Sequence, residues 1–186
     1  MKRELFRNFP NYLTFFRIVT IPLIVWSFFL EEKLSHVVGF TFFVVASITD
    51  FIDGYLARKF NFVTKIGKIF DPLADKALVV CTLFMLVSFS RVEIIPCLLI
   101  VIREFTVSGL REILGQVQIS IKVTYFAKIK TSLQMIAISA TVLGTNGSGI
   151  ESLDSLSNIL LWISSIITVI TGIQYFISYK KYFSYG

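Results

Sequence analysis

Six apolar runs, separated by short segments that hold most of the charge, constrain this chain more than any other feature. They lie at roughly 12–30, 37–58, 72–90, 93–112, 128–144 and 156–179. A helix needs about 20 apolar residues to cross a bilayer. In lipid the backbone must satisfy its own hydrogen bonds, which a helix does. Hydrophobic residues make up 55% of the chain and charged residues 16%, against about a quarter charged in soluble domains. The expected fold is an all-α integral membrane protein with six transmembrane helices. It forms one domain over residues 1–186, with no room for a separate soluble one.

Charge placement sets the expected topology. One set of segments comprises the N-terminus, 58–68, 111–130 and the C-terminal tail. Counted with the nearest span residues Arg17, Lys76 and Arg103, it holds 16 of the 18 Lys and Arg. The opposite set holds only Lys33 and Arg91. Basic residues stay on the cytoplasmic side, so both termini are expected there. Residues 1–11, with Lys2, Arg3, Phe6, Arg7 and Phe9, read as an interfacial basic helix. The basic start imitates a signal peptide. However, the apolar run carries Arg17 and lacks a small-residue cleavage site, so a retained first helix is expected. Residues 145–149 (TNGSG) read as a turn and His36 as a solvated loop residue. Tyr175, Tyr179 and Tyr182 beside Lys180 and Lys181 read as an interfacial belt. Cys81 and Cys97 fall inside apolar runs and are expected as reduced core residues.

The stretch 50–75, DFIDGYLARKFNFVTKIGKIFDPLAD, stands apart. Asp50 and Asp53 share a helix face at the cytoplasmic end of the second run. Asp71 and Asp75 are four apart at the start of the third, where Pro72 is expected in the first turn. Four carboxylates in one hairpin repel one another, and each resists burial. Salt bridges to Arg58, Lys65, Lys68 and Lys76 would offset the charge. A divalent cation would also explain why every acid is the short, hard-oxygen Asp, and four of them suit two metals used in displacement at phosphorus. Gly54, Ala57 and Gly67 lie beside the acids. Small residues there serve helix packing or let a ligand approach the backbone.

Asp50, Asp53, Gly54, Ala57, Arg58, Gly67, Asp71 and Asp75 stand at the gaps D-x2-D-G-x2-A-R-x8-G-x3-D-x3-D. This pattern resembles the signature of the CDP-alcohol phosphotransferases, and chain length and six spans resemble the family throughout. The resemblance implies transfer of a substituted phosphoryl group from a CDP-linked donor to an alcohol, with release of CMP. It implies that Asp50, Asp53, Asp71 and Asp75 hold Mg²⁺ or Mn²⁺, as two ions, and that Asp75 is also the general base. Gly54, Ala57, Arg58, Thr64 and Gly67 would bind the CDP-diacylglycerol donor. Pro10-Asn11-Tyr12-Leu13-Thr14 with Arg17 resembles the family's P-N-x-x-T-x-x-R segment, which would bring Asn11 and Thr14 to the same pocket. The resemblance also suggests a homodimer. The compact length without a transit peptide suggests a bacterial inner membrane, with membrane lipid around the chain and no nucleic-acid partner, and the placement of Lys and Arg puts the site on the cytoplasmic face.

The acceptor is sought in the second half. Arg103 and Arg111 are eight apart, a little over two turns, and so are expected on one side of a helix. Pairs with the adjacent Glu104 and Glu112 are not expected, because neighbours in sequence do not face each other. With Lys128 and Lys130 they would form a cationic pocket for an anionic acceptor. The segments REFTVSGLRE and AKIKTSLQM resemble those of the phosphatidylglycerophosphate synthases, which use glycerol 3-phosphate. Alternatives are another acceptor (an inositol phosphate, serine or phosphatidylglycerol) or, from another class, a small cation transporter.

Overall fold

In a computed structural model the chain forms six helices: α1 (Lys2–Ser27), α2 (Glu32–Phe60), α3 (Lys65–Ser88), α4 (Ile94–Gln116), α5 (Tyr125–Ser148) and α6 (Leu153–Tyr179). The structure describes the backbone of residues 2–60, 65–116 and 125–179, and the side chains of 12–52, 70–115 and 129–179.

The bundle is apolar outside and partly polar inside. On α6, Ile159, Ile163, Ile166, Ile170, Ile173 and Ile177 are exposed, whereas Ser157, Ser164, Ser165, Thr168 and Thr171 are buried. Water would drive the reverse arrangement, whereas helices packed in lipid favour small residues at their contacts. Hydroxyls along the helices bond back to the preceding turn, as in Thr41 to the Val37 carbonyl at 2.7 Å and Thr82 to that of Leu78 at 2.7 Å. Each such bond satisfies its own donor within the helix, whereas Ser164 Oγ and Thr168 Oγ1 on α6 are buried without a partner among the described residues. Two helices, Glu32–Ile52 and Leu153–Tyr179, are long and apolar enough by themselves to cross a membrane among the described residues.

Packing partners run α3–α1–α2–α5–α6–α4, and α4 closes back on α3 only lightly. The loose α3–α4 seam is where the candidate site opens. A core of Ile24, Phe28, Phe43, Leu78, Leu83, Leu86, Ile100, Ile138, Val142 and Leu161 joins the helices. Gly39 marks a close approach of α2 to α1 and α5. A Cβ there would lie 2.9 Å from Ser27 Oγ and 3.2 Å from Val142 Cγ1. Gly39→Val should therefore destabilise the bundle by about 1–3 kcal/mol through overpacking, read as a lower midpoint of thermal unfolding in detergent. An unchanged midpoint would mean that α1 and α5 yield freely at this contact.

Several local expectations are corrected. α3 starts at Lys65, so Asp71 and Pro72 lie well inside it and not in its first turn. Proline removes one backbone bond and presses on the preceding turn, but the turns before it still form, so the interruption does not end the helix. His36 is not a solvated loop residue: it is buried in α2 and its Nδ1 lies 2.9 Å from the Val142 carbonyl. Tyr175 does not stand in an interfacial belt but is buried against Val107, Leu110 and Leu114, with Tyr179 packed beside it. α5 breaks at Gly144, whose φ of 55° suits glycine, and Thr145–Ser148 form one further helical turn instead of an open turn. Both cysteines are free, Cys97 buried and Cys81 half-buried. Residues 61–64, 117–124 and 180–186 lie outside the described residues, so most of the expected 115–127 connection, with Tyr182, Lys180 and Lys181, is among them.

Candidate active site

Thr14 and Arg17 are three apart on α1 and therefore share a face. Asp71 and Asp75 are four apart on α3. The Thr14 hydroxyl donates to Asp71, and Arg17 Nη1 donates to Asp75, one turn further along both helices. The two rungs rise in the same sense, so α1 and α3 run parallel. Arg17 Nη2 also reaches Asp50 on α2 at 3.0 Å. One guanidinium thus gathers carboxylates from two helices of the signature stretch. Its side chain is 0% exposed, whereas Asp50 and Asp75 are 38% and 42% exposed. Burying an arginine among apolar helices is costly unless it is paired, and the two aspartates supply that pairing. The sequence linked Arg17 only to a resembling segment; its place between the acids needed the fold.

Arg17 thus brings Asp50 and Asp75 together, and Thr14 holds Asp71 one turn away. The side chains of Asp53, Asn11, Gly54, Ala57, Arg58, Gly67 and Lys128 lie outside the described residues, as does the whole of Thr64. Among the described residues no three acids stand close enough to hold a metal ion by themselves. The donor set is nonetheless suited to one. Asp50 and Asp75 are short oxygen ligands with open flanks, and hard divalent cations take such oxygens.

Beyond Asp75, along the α3–α4 seam, lies a cavity of about 650 Å³. Asp75 and Lys76 line it from α3, Glu104, Ser108, Arg111 and Glu112 from α4, and Thr131 from α5. Arg111 is exposed, and its guanidinium lies 5.4 Å from the centre of the Tyr175 ring. Its Nη2 donates to the Tyr175 hydroxyl at 3.3 Å. A buried tyrosine thus orients a cation at the cavity wall.

Glu104 organises the other cations. It accepts from Lys130, which is 2% exposed, and from Arg103 Nη1 at 3.3 Å. The adjacent pair that helical geometry disfavoured does form, because both side chains are long enough to turn toward each other. Arg103 lies against α6 instead of lining the Asp75 cavity: a Cβ on Gly172 would stand 3.0 Å from its Cγ. Arg103 and Arg111 therefore open on different spaces. Glu104 was missed as a site residue. Its signal was present in the sequence, an acid within an apolar run four residues before Ser108 on the same face.

A family profile described as CDP-alcohol phosphatidyltransferase matches residues 7–170. A relative from Rickettsia felis is 53% identical over 177 residues, covering 95% of this chain and 98% of its own length. One from Bacillus subtilis is 37% identical over 181 residues, at 91% and 93%, and one from Haemophilus influenzae is 35% identical over 172 residues, at 90% and 91%. All three bear the name CDP-diacylglycerol–glycerol-3-phosphate 3-phosphatidyltransferase. With that profile spanning most of its length, and Asp50 and Asp75 of the signature both held by Arg17, the chain belongs to the CDP-alcohol phosphatidyltransferase family.

Proposed function

We propose that this chain transfers the phosphatidyl group of CDP-diacylglycerol to glycerol 3-phosphate, giving phosphatidylglycerophosphate and CMP. The observation that carries this reading is the shared cavity: Asp75 and Arg111 line the same space between α3 and α4. A base and a phosphate-binding cation are what an acceptor with one hydroxyl and one phosphate needs. The names borne by the relatives agree with it.

Arg111 holds the acceptor phosphate, for which its planar fork is suited. Glu104 draws Lys130 and Arg103 together behind the cavity, so these two act on the acceptor through the local field, with Lys128 added to the same group. Asp75 takes the proton of the 1-hydroxyl as its oxygen bonds to the lipid-side phosphorus. The bond from that phosphorus to the bridging oxygen breaks, and CMP leaves with the electron pair. Arg17 holds the Asp75 carboxylate in place. Asp50, Asp53, Asp71 and Asp75 would hold Mg²⁺ or Mn²⁺, as two ions, which when bound would stabilise charge on the pyrophosphate oxygens. Asn11, Thr14, Gly54, Ala57, Arg58, Thr64 and Gly67 are assigned to the donor.

In the same reading all six helices cross a bacterial inner membrane as one domain, with residues 1–11 at the interface and the chain assembled as a homodimer. Both termini and the site face the cytoplasm, supported by the concentration of Lys and Arg in the segments nearest the site. The donor's acyl chains then rest in the bilayer while its cytidine stays in water.

Purified protein with Mg²⁺ or Mn²⁺ and both substrates should release CMP and form phosphatidylglycerophosphate. Serine, inositol phosphate and phosphatidylglycerol should not replace the acceptor. Absence of product would overturn the assignment. Arg111→Gln should raise the KM for glycerol 3-phosphate about 10–100-fold, the scale of one or two lost charge-assisted hydrogen bonds. The KM for the lipid donor should stay near that of the parent, and an equal rise in both would place Arg111 elsewhere.

A further inference from the structure

At the opposite end of the bundle, a second polar cluster takes no part in the transfer. It lies past the end of α3, whose run from Asp75 to Ser88 covers about 20 Å. Here the start of α2, the α3–α4 connection and the α5–α6 connection meet. α3 ends in a Schellman cap: Ser90 adopts a left-handed φ of 55°, its N–H bonds to the Val87 carbonyl at 3.0 Å, and that of Arg91 bonds to Leu86 at 2.9 Å. The cap fixes the Arg91 backbone just outside the helix. Arg91 Nη2 donates to Ser35 Oγ at 2.7 Å, and its guanidinium lies 4.7 Å from the centre of the Phe28 ring. Its Nη1 is buried without a hydrogen-bond partner among the described residues, and no carboxylate there lies within ion-pair distance of it. Asn158 Oδ1 is likewise buried and unpartnered among the described residues.

Arg91 and Asn158 both line a cavity of about 580 Å³, which also takes in Ser90, Glu93, Asp154 and Ser155. A second cavity of about 500 Å³ shares Ser90, Arg91 and Asp154 and adds Glu32 and His36. His36 Nδ1 faces the Val142 carbonyl and donates to it. The two linings hold one arginine against three carboxylates. Arg91 and Asn158 thus bring to one lining an unpartnered donor and an unpartnered acceptor, each buried just behind its surface, and a ligand that drew both outward would need to offer both complements. The acidic surplus disfavours a ligand with net negative charge. Exposed Ile94 lines the cavity, and Leu156 and Ile159 are exposed beside its lining residues Ser155 and Asn158 in sequence, an apolar edge on which acyl chains can lie.

We propose that this end binds the headgroup of a zwitterionic aminophospholipid. Arg91 takes the phosphate, and Asn158, Asp154 and Glu93 take the primary ammonium. The enzyme thereby carries a lipid site separate from the one where it acts on lipid.

Native mass spectrometry of the detergent-solubilised full-length chain tests this. It is titrated with a phosphoethanolamine lipid and a phosphoglycerol lipid of identical short acyl chains, and with phosphoethanolamine alone. The aminophospholipid should bind about tenfold more tightly than the phosphoglycerol lipid, the worth of one well-placed polar contact. Asp75→Asn should keep that preference, which separates this site from the α3–α4 cavity. Ser155→Trp, which fills the first cavity from an exposed position, and Arg91→Gln should each abolish it. Because Arg91 also braces Ser35 and Phe28, the Ser155 variant carries the test if Arg91→Gln unfolds. Equal binding of the two lipids, or a preference that survives Ser155→Trp, would overturn the proposal. Phosphoethanolamine binding as tightly as the lipid would overturn the lipid assignment.

Discussion

Asp75→Asn is expected to cut CMP release by about 10²–10⁴-fold, the range that a positioned general base contributes. That corresponds to roughly 3–5 kcal/mol of barrier. The substitution is nearly isosteric. The amide oxygen that replaces the carboxylate still accepts from Arg17, so the α1–α3 contact survives while the group that takes the proton is lost. Loss of turnover with an unchanged melting temperature would place the effect on the chemistry and not on the fold. Near-normal turnover would remove Asp75 from the role of base.

Arg17→Met is expected to do what Asp75→Asn does not: lower stability and activity together. Arg17 is fully buried, and its guanidinium bridges Asp50 and Asp75. Methionine fills much of the same volume but leaves two carboxylates facing each other across the α1–α2–α3 junction. Removing one partner of a buried ion pair costs about 3–5 kcal/mol, and exposed pairs contribute about 1 kcal/mol or less. Because both aspartates are half-exposed and rehydrate, a loss of about 2–3 kcal/mol is expected. Turnover should fall at least about 10²-fold, because Asp75 loses the group that orients it. Arg17→Lys should fall between, since a point charge replaces a planar fork. The measurement is thermal unfolding in detergent beside CMP release. A methionine variant with parental stability and rate would show that the guanidinium organises neither helices nor acids.

The number and order of the helices were legible because hydropathy needs only a sum over a window. Helix ends were less so. α3 reaches back to Lys65 although Pro72 suggested a start seven residues later, since proline removes one backbone bond without preventing the turns before it. His36 and Tyr175 were misplaced for a common reason. Each is polar enough to suit a surface by composition, and each is buried by a partner far away in sequence: the α5 end for His36, and Arg111 with the Val107 cluster for Tyr175. Glu104 escaped notice because its value comes from Lys130 on another helix.

By itself the sequence determined the helical class, the concentration of basic charge on one set of connections and the spacing of the four aspartates. All three are local or additive properties of the chain. Only the tertiary structure decided which cation meets which acid. Arg17 is 33 residues from Asp50 and 58 from Asp75, yet it holds both. The light α3–α4 contact puts Asp75 and Arg111 on one cavity and turns Arg103 away toward α6. Ion pairs and cavities depend on distances of a few ångströms between separate helices, and no spacing along one helix encodes them.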